Sequence, residues 1–427
     1  MKKISVVTLG CKVNQYDTAV LLNQLPKNKY IKNKKYNDRA DIYIIDTCTV
    51  THKADSEARN YIYRAKRSNP DAVVVVTGCY AQVSPDDLNQ IEGVDYIIGN
   101  SHKTSSLLKV IREAVPQNKP KIYISDIFKE KNRKFDTPDI NYFPDRTRAF
   151  LKVQDGCNYA CTFCIIPRAR GRSRSLAVDE IISRIINLKS HGYKEVVLTG
   201  IHLASYGRDI GTDFQNLLKQ LEKEKIINRI RLSSLDPADI GEDIINFCAD
   251  SEVICPSFHI ALQSGDENIL KKMRRRYKPK DFINCTDYIR KKIPSASIGT
   301  DVMVGFPSES DQYFKNTYNL VKESELTYFH VFPYSIRKNT SAAVMEEHVE
   351  PEIKKERSRK LRELGSRKKI EFYKNFIGKE LNTLVESKSR GTTDNYINVK
   401  FMSDKYNIGD EVIVKIKNIV GEQAVSI

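Results

Sequence analysis

The sequence predicts an α/β chain in three parts: a doubly wound parallel sheet, then an open barrel of six β/α units, then a small antiparallel β-barrel. Three observations predict it. Short apolar runs alternate with helical stretches from Lys2 to Glu113, a second series of the same texture starts at Arg148, and after Gly378 strand-like alternation continues without helix. A chain of 427 residues accommodates two or three domains of about 150 residues each.

In the first series, KISVVTLG, ADIYIIDT, AVVVVTG and DYIIG each run into a helix-like stretch, which is the pattern of a Rossmann- or flavodoxin-like sheet over residues 1–115. Residues 116–142 are polar, carry Pro116, Pro120 and Pro138, and hold one short apolar run, KIYISDIF; they read as a linker with room for one strand. Residues 143–371 follow with AFLKV, EVVLTG, RIRLSSL, FHIALQSG, SIGTDVMVGFP and YFHVFPYS, separated by helical patterns such as VDEIISRIINLKSHG. Six such units make a partial barrel, whose chemistry belongs at the carboxyl ends of its strands. Residues 372–427 contain ELNTLVESK, YINVKF, DEVIVKIKNIV and QAVSI, with turns at Arg390-Gly391 and Gly409-Asp410, which fits a small closed barrel.

Composition narrows the function classes. No apolar run approaches the roughly 18 residues of a membrane span. The opening MKKISVVTLG reads as a strand without a signal-peptide cleavage pattern, so a cytoplasmic protein is expected. The formal charge of +16 favours a polyanionic partner, and nucleic acid is the obvious one. Nine cysteines in such a compartment point to metal or redox chemistry rather than disulfides.

The strongest local signal is DGCNYACTFC. It places Cys157, Cys161 and Cys164 at C-x3-C-x2-C spacing just after the first barrel strand. Three thiolates in one loop hold three irons of a four-iron cluster and leave the fourth iron open to a ligand. A zinc site is the competing reading, but it wants four ligands and the next histidine is as far away as His191. A second set is dispersed: Cys11, Cys48 and Cys79 each follow the carboxyl end of a separate candidate strand. Open parallel sheets bind ligands outside those ends, so the fold can assemble a second cluster there. The plainer alternative is three buried cysteines acting as small hydrophobes.

The C-x3-C-x2-C loop resembles the radical S-adenosylmethionine superfamily. That resemblance implies a cofactor chelated at the open iron and cleaved by one electron to a 5′-deoxyadenosyl radical. It also implies that Phe163 lies against the adenine and that Thr199 and Gly200 meet the cofactor's amino group. Ser233, Gln263 and Asp301 fall at later strand ends as further cofactor contacts.

The whole set, two cysteine triads with three such domains, resembles the methylthiotransferases over essentially the full chain. In that family a radical cluster and an auxiliary cluster work together to replace hydrogen by a methylthio group. The resemblance implies two [4Fe-4S] clusters, S-adenosylmethionine, an RNA-binding terminal module of the TRAM type, and an electron donor such as flavodoxin or ferredoxin acting on a monomer. TLGCKVNQYDT, LTGIHLASYG, RLSSLDP and VGFPSES look most like the branch that modifies N6-threonylcarbamoyladenosine in tRNA. The isopentenyladenosine and ribosomal-protein branches are the alternatives, and a non-enzymatic iron-sulfur protein that binds RNA is the competing class.

Charge placement qualifies the RNA reading. Residues 372–427 carry 8 Lys+Arg against 7 Asp+Glu. The excess lies in the run Lys354 to Lys369, in Lys271 to Lys278, and in Arg168, Arg170, Arg172 and Arg174 beside the radical loop. Solvated helix faces account for such runs in general. The arginine row, next to the chemistry, is the candidate RNA contact.

Overall fold

A computed structural model describes residues 1–129, 135, 137–143 and 146–426. The chain packs as two compact units. The first comprises Met1–Tyr142, Asp155–Arg174 and Ser335–Ala343; the second comprises Phe143–Gln154, Ser175–Tyr334 and Val344–Ile427.

The first unit is built on a parallel sheet of β1 (Lys2–Thr8), β2 (Tyr30–Lys32), β3 (Ile42–Thr47), β4 (Val73–Gly78), β5 (Tyr96–Gly99) and β6 (Lys121–Tyr123), in the order β2-β1-β3-β4-β5-β6. β3 and β4 are buried at every position, as parallel strands covered on both faces must be. Alternate side chains feed two cores. Tyr43, Ile45, Val74 and Val76 pack with Ala58 and Ile62, while Ile42, Ile44, Val73 and Val75 pack with Leu107 and Ile111. The order reverses at β1, so β1, β3 and β4 stand side by side at the switch point, and Cys11, Cys48 and Cys79 come at or just after their carboxyl ends.

Residues 121–123 pair with Tyr96, Ile97 and Ile98 and form the one strand for which the expected linker had room; residues 130–134 and 136 lie outside the described set. The cysteine loop Asp155–Arg174 and the segment Ser335–Ala343 belong with the amino-terminal sheet rather than with the barrel. The cause is long-range pairing that no local pattern reveals: Arg170 reaches Asp17 at 3.4 Å, Arg337 pairs with Asp55, and the Ala342 N–H donates to the Thr162 carbonyl at 2.8 Å.

The second unit holds the partial barrel as two parallel sheets. One runs β9 (Arg229–Leu232), β8 (Glu195–Thr199), β7 (Arg148–Lys152); the other runs β10 (Ser234–Leu235), β11 (Ser257–Ile260), β12 (Ser297–Val304), β13 (Tyr328–Pro333). The expected strand RIRLSSL is split at Ser233, and its two halves serve different sheets. The helix Pro351–Lys374 then delivers Phe372 and Tyr373, followed by Phe376, into the core of a closed barrel of β14 (Glu380–Ser387), β15 (Arg390–Thr393), β16 (Asn398–Phe401), β17 (Glu411–Val420) and β18 (Gln423–Ser426). Among the described residues, no helix is long and apolar enough to cross a membrane.

A buried ion cluster ties this terminal barrel to the β/α sheet. Arg229 and Arg231 each donate from Nε to Glu195 at 2.8 Å, and they also reach the carbonyls of Thr392 at 3.2 Å and Asp394 at 2.9 Å. Burial alone would raise the Glu195 carboxyl, but Arg231 and Arg229 hold it down at about 2. A depressed carboxylate contributes stability above its unfolded value of 4.5 and loses it as pH falls towards about 2. Glu195→Gln is therefore expected to cost about 3–5 kcal/mol at neutral pH by stranding two buried guanidinium groups. Denaturant melts at pH 7 and pH 3 check this, because the gap between wild type and variant should narrow at the lower pH.

Candidate active site

The auxiliary triad is assembled by three strand ends. Gly10, at φ +91°, lets the chain turn before Cys11; a Cβ there would stand 2.5 Å from the Cys48 Cβ and 2.7 Å from its Sγ, so only glycine fits. Asn14 clasps the two loops, donating from Nδ2 to the carbonyls of Leu9 at 3.0 Å and Thr47 at 2.9 Å. Cys48 and Cys79 are buried and Cys11 is exposed. Burial, then the neighbouring Cys79, pushes the Cys48 thiol up to about 12, and burial likewise raises Cys79. Each of these two thiols also feels Cys11, so the three sulfurs share one small region. Thiolates so placed need a cationic partner, and bound iron is a fitting one.

The radical triad lies in the same unit. Cys164 donates its N–H to the Cys161 carbonyl at 3.0 Å, Cys157 to the Gly171 carbonyl at 3.1 Å, and the Tyr159 N–H points at the Cys157 sulfur at 3.4 Å. All three cysteines and Phe163 are half-buried, as residues offered to a cofactor should be. Asn100 links the two triads: its Nδ2 donates to Cys79 Sγ at 3.5 Å and to the Ala169 carbonyl, on the radical loop, at 2.9 Å.

Arg170 corrects the arginine row. It is 2% exposed, donates to Asp155 at 3.0 Å and to Asp17 at 3.4 Å, and bonds Asn14. Its charge is felt by Cys79 and Cys11. A guanidinium so enclosed has no face left for a phosphate. Arg174 is mostly buried as well and pairs with Asp155 at 3.4 Å. Arg168 and Arg172 are exposed, and the RNA expectation narrows to these two. The other basic runs are partly consumed too. Arg275 pairs with Asp236, Arg276 with Asp239, and Arg357 with Glu309 and Asp311 at 2.8 Å.

In the second unit, Thr199 ends β8, Ser233 follows β9 and Gln263 lies just past β11, whereas Asp301 lies within β12 and not at its end. Gly200 follows Thr199 so closely packed that a Cβ would stand 2.9 Å from Gln154 Oε1, and that same oxygen accepts the His202 N–H at 2.9 Å. Gln154, which the sequence reading passed over, thus shapes the Thr199-Gly200 turn; its only signal was its place immediately before the DGC motif. The Ser233 hydroxyl is buried with no hydrogen-bond partner among the described residues, an orphan that a polar cofactor would satisfy. Gln263 holds a left-handed φ of +64°, fixed by its N–H to the Asp301 carbonyl at 2.9 Å and its carbonyl to the Met303 N–H at 2.8 Å. Such strain in a non-glycine residue gathers at functional sites. Asp301 departs from the expectation: its carboxylate is taken by His259 and His330, each at 3.2 Å, and not held open for the cofactor.

The chain resembles known proteins over most of its length. The radical SAM superfamily model matches residues 151–321, and the uncharacterized protein family UPF0004 matches residues 3–99. The threonylcarbamoyladenosine tRNA methylthiotransferase MtaB of Aquifex aeolicus is 44% identical over 399 residues, 93% of this chain and 96% of its own length. The chain belongs to the MtaB family of radical SAM methylthiotransferases. A tRNA-2-methylthio-N(6)-dimethylallyladenosine synthase of Pelotomaculum thermopropionicum is 33% identical, over 92% of this chain and 88% of its own length. The solved structure of the radical S-adenosylmethionine methyltransferase TsrM from Kitasatospora setae, with cobalamin and a [4Fe-4S] cluster bound, shares the fold at 12% identity. Its TM-score is 0.58 over 80% of this chain and 77% of that one. As a member of the MtaB family the enzyme uses two [4Fe-4S] clusters and S-adenosylmethionine, and the two cysteine triads are donor sets that fit them.

Proposed function

We propose that this enzyme methylthiolates C2 of N6-threonylcarbamoyladenosine beside the anticodon of tRNA. The observation that carries the reading is the joining of both cysteine triads in one compact unit, through Asn100 and Arg170. An unactivated C–H bond yields to a radical and not to acid-base attack, and sulfur insertion needs a second centre held nearby. When bound, the radical cluster supplies the electron that splits S-adenosylmethionine.

The protein's own residues do the rest. Cys157, Cys161 and Cys164 hold three irons of that cluster, and Cys11, Cys48 and Cys79 hold the auxiliary one. Phe163 lines the adenine, and Thr199 and Gly200, shaped by Gln154, receive the cofactor's amino group. Ser233 and Gln263 supply polar contacts. Arg168 and Arg172 hold anticodon phosphates or stack on splayed bases. Residues 1–115 are the auxiliary-cluster module, 116–142 their connection, 143–371 the radical module and 372–427 the TRAM-like RNA module. The enzyme works as a monomer in the cytoplasm and takes electrons from a flavodoxin or ferredoxin.

Mass spectrometry of tRNA nucleosides from cells with and without the protein tests this. The expected result is the 2-methylthio form of threonylcarbamoyladenosine, present only with the protein. Methylthiolation of isopentenyladenosine in its place would overturn the substrate reading. Failure of the reduced enzyme to convert S-adenosylmethionine to 5′-deoxyadenosine would overturn the enzymatic one.

A further inference from the structure

Three neighbouring strands of the second unit place an imidazole-carboxylate-imidazole chain on one face of the sheet. In β11, Phe258 and Ile260 are buried and His259 lies between them on the other face. Asp301 in β12 stands directly opposite His330 in β13. The side chains complete the register: His259 Nε2 lies 3.2 Å from one Asp301 oxygen and His330 Nδ1 lies 3.2 Å from the other, with the two rings stacked 5.6 Å apart. The Tyr328 hydroxyl faces His259 Nδ1 at 3.5 Å. His330 is 58% exposed, and among the described residues its Nε2 makes no hydrogen bond. Phe332, two residues on, is 37% exposed with its ring 6.5 Å from that imidazole. The cluster adjoins the cofactor rim, since the Asp301 carbonyl accepts the Gln263 N–H.

Charge decides what such a cluster wants. Burial alone would raise the Asp301 carboxyl, but the hydrogen bonds from His259 and His330 hold it well below the usual carboxylate range, so it stays ionised. With Nδ1 on Asp301, the outward Nε2 of the exposed His330 is the cluster's open polar atom, and in the imidazolium form it donates to one further anion. The half-exposed ring of Phe332 beside it offers a stacking surface for a base. A purine with a carboxylate on a short arm matches both features. An uncharged isoprenoid arm leaves the imidazole unanswered.

We propose that His330, held by Asp301 and backed by His259, binds the carboxylate of the threonylcarbamoyl arm and thereby selects the substrate. The inference rests on the substrate reading above. A charge-assisted hydrogen bond of this kind is worth roughly 10- to 100-fold in affinity.

The test compares the reconstituted holoenzyme with its His330→Gln variant on two anticodon stem-loops, one bearing N6-threonylcarbamoyladenosine and one bearing its methyl ester. Cluster content and thermal melting certify that the variant is folded. The expected result is a roughly 10- to 100-fold rise in KM for the acid in the variant, while the ester is handled alike by both enzymes. A variant that still prefers acid to ester as strongly as wild type overturns the proposal. So does one divalent ion per chain, beyond the cluster iron, that disappears on substitution, because the same atoms lie close enough to ligate a metal. Failure of the wild type to act on the threonylcarbamoyl stem-loop would instead overturn the substrate reading itself.

Discussion

Alanine at Cys157, Cys161 and Cys164 together is expected to abolish reductive cleavage of S-adenosylmethionine. Alanine at Cys11, Cys48 and Cys79 should leave that cleavage measurable while the methylthiolated product disappears. The first loss should be total on any practical scale, at least the roughly 10⁶-fold lower end of enzymatic rate enhancement, because no other group in the protein can replace the open iron. The second loss is selective because the two donor sets rest on different supports. Cys157 and Cys164 are fixed by local backbone bonds within the radical loop, to the carbonyls of Gly171 and Cys161. Cys11 and Cys48 depend on the ends of β1 and β3 and on the Asn14 clasp between them. Removing the dispersed triad therefore leaves the local one standing. The measurements are 5′-deoxyadenosine and modified nucleoside in parallel, with iron per chain falling by about half in either variant. Equal loss of both activities in folded variants, or an iron content untouched by the Cys11, Cys48 and Cys79 substitutions, would defeat this division of labour.

What was legible in the sequence was whatever one stretch of chain encodes. C-x3-C-x2-C is a loop that folds on itself, and the placement of Cys11, Cys48 and Cys79 after apolar runs follows from strand periodicity, which also fixed the order of β/α units. The third barrel strand was visible as RIRLSSL, but its division at Ser233 between two sheets was not, because both halves have strand composition. Pairings across long separations were invisible. Arg170 and Asn14 are 156 residues apart, so nothing near Arg170 distinguishes it from Arg168 or Arg172. Alternation by two looked like a row on one surface, yet Arg168 and Arg170 belong to the short helix Ile166–Arg170, where a step of two turns a side chain to another face. Asp301 was expected at the end of a barrel strand but lies within β12; its partners come from the strands on either side, and only the register shows that they capture it.

The arginine row should accordingly divide by function when it is substituted. Arg170→Gln removes the buried partner of Asp155 and Asp17, and breaking such a pair costs about 3–5 kcal/mol. It also removes the positive charge that Cys79 and Cys11 feel, so iron retention at the auxiliary triad should fall even in protein that remains folded. Arg170→Lys keeps the charge but lacks the fork that spans Asn14 and Asp155 at once, and should recover only part of the stability. The exposed pair behaves differently. Substituting Arg168 and Arg172 together with glutamine should leave melting and iron content unchanged and weaken tRNA binding. For two contacts to single-stranded phosphates the slope of log affinity against log salt should flatten by about 1.4. Deleting the net +1 terminal barrel would disturb the Glu195 cluster, so surface lysines of that barrel, such as Lys400 and Lys415, are the better comparison for its share of the binding. The assay is tRNA affinity at several salt concentrations beside thermal melting for each variant. If Arg170→Gln flattens the salt slope as much as the double substitution while leaving stability untouched, the buried arginine faces RNA after all and its carboxylate partners are incidental. If it melts early and sheds auxiliary iron at an unchanged slope, Arg170 is the brace between the radical loop and the amino-terminal sheet.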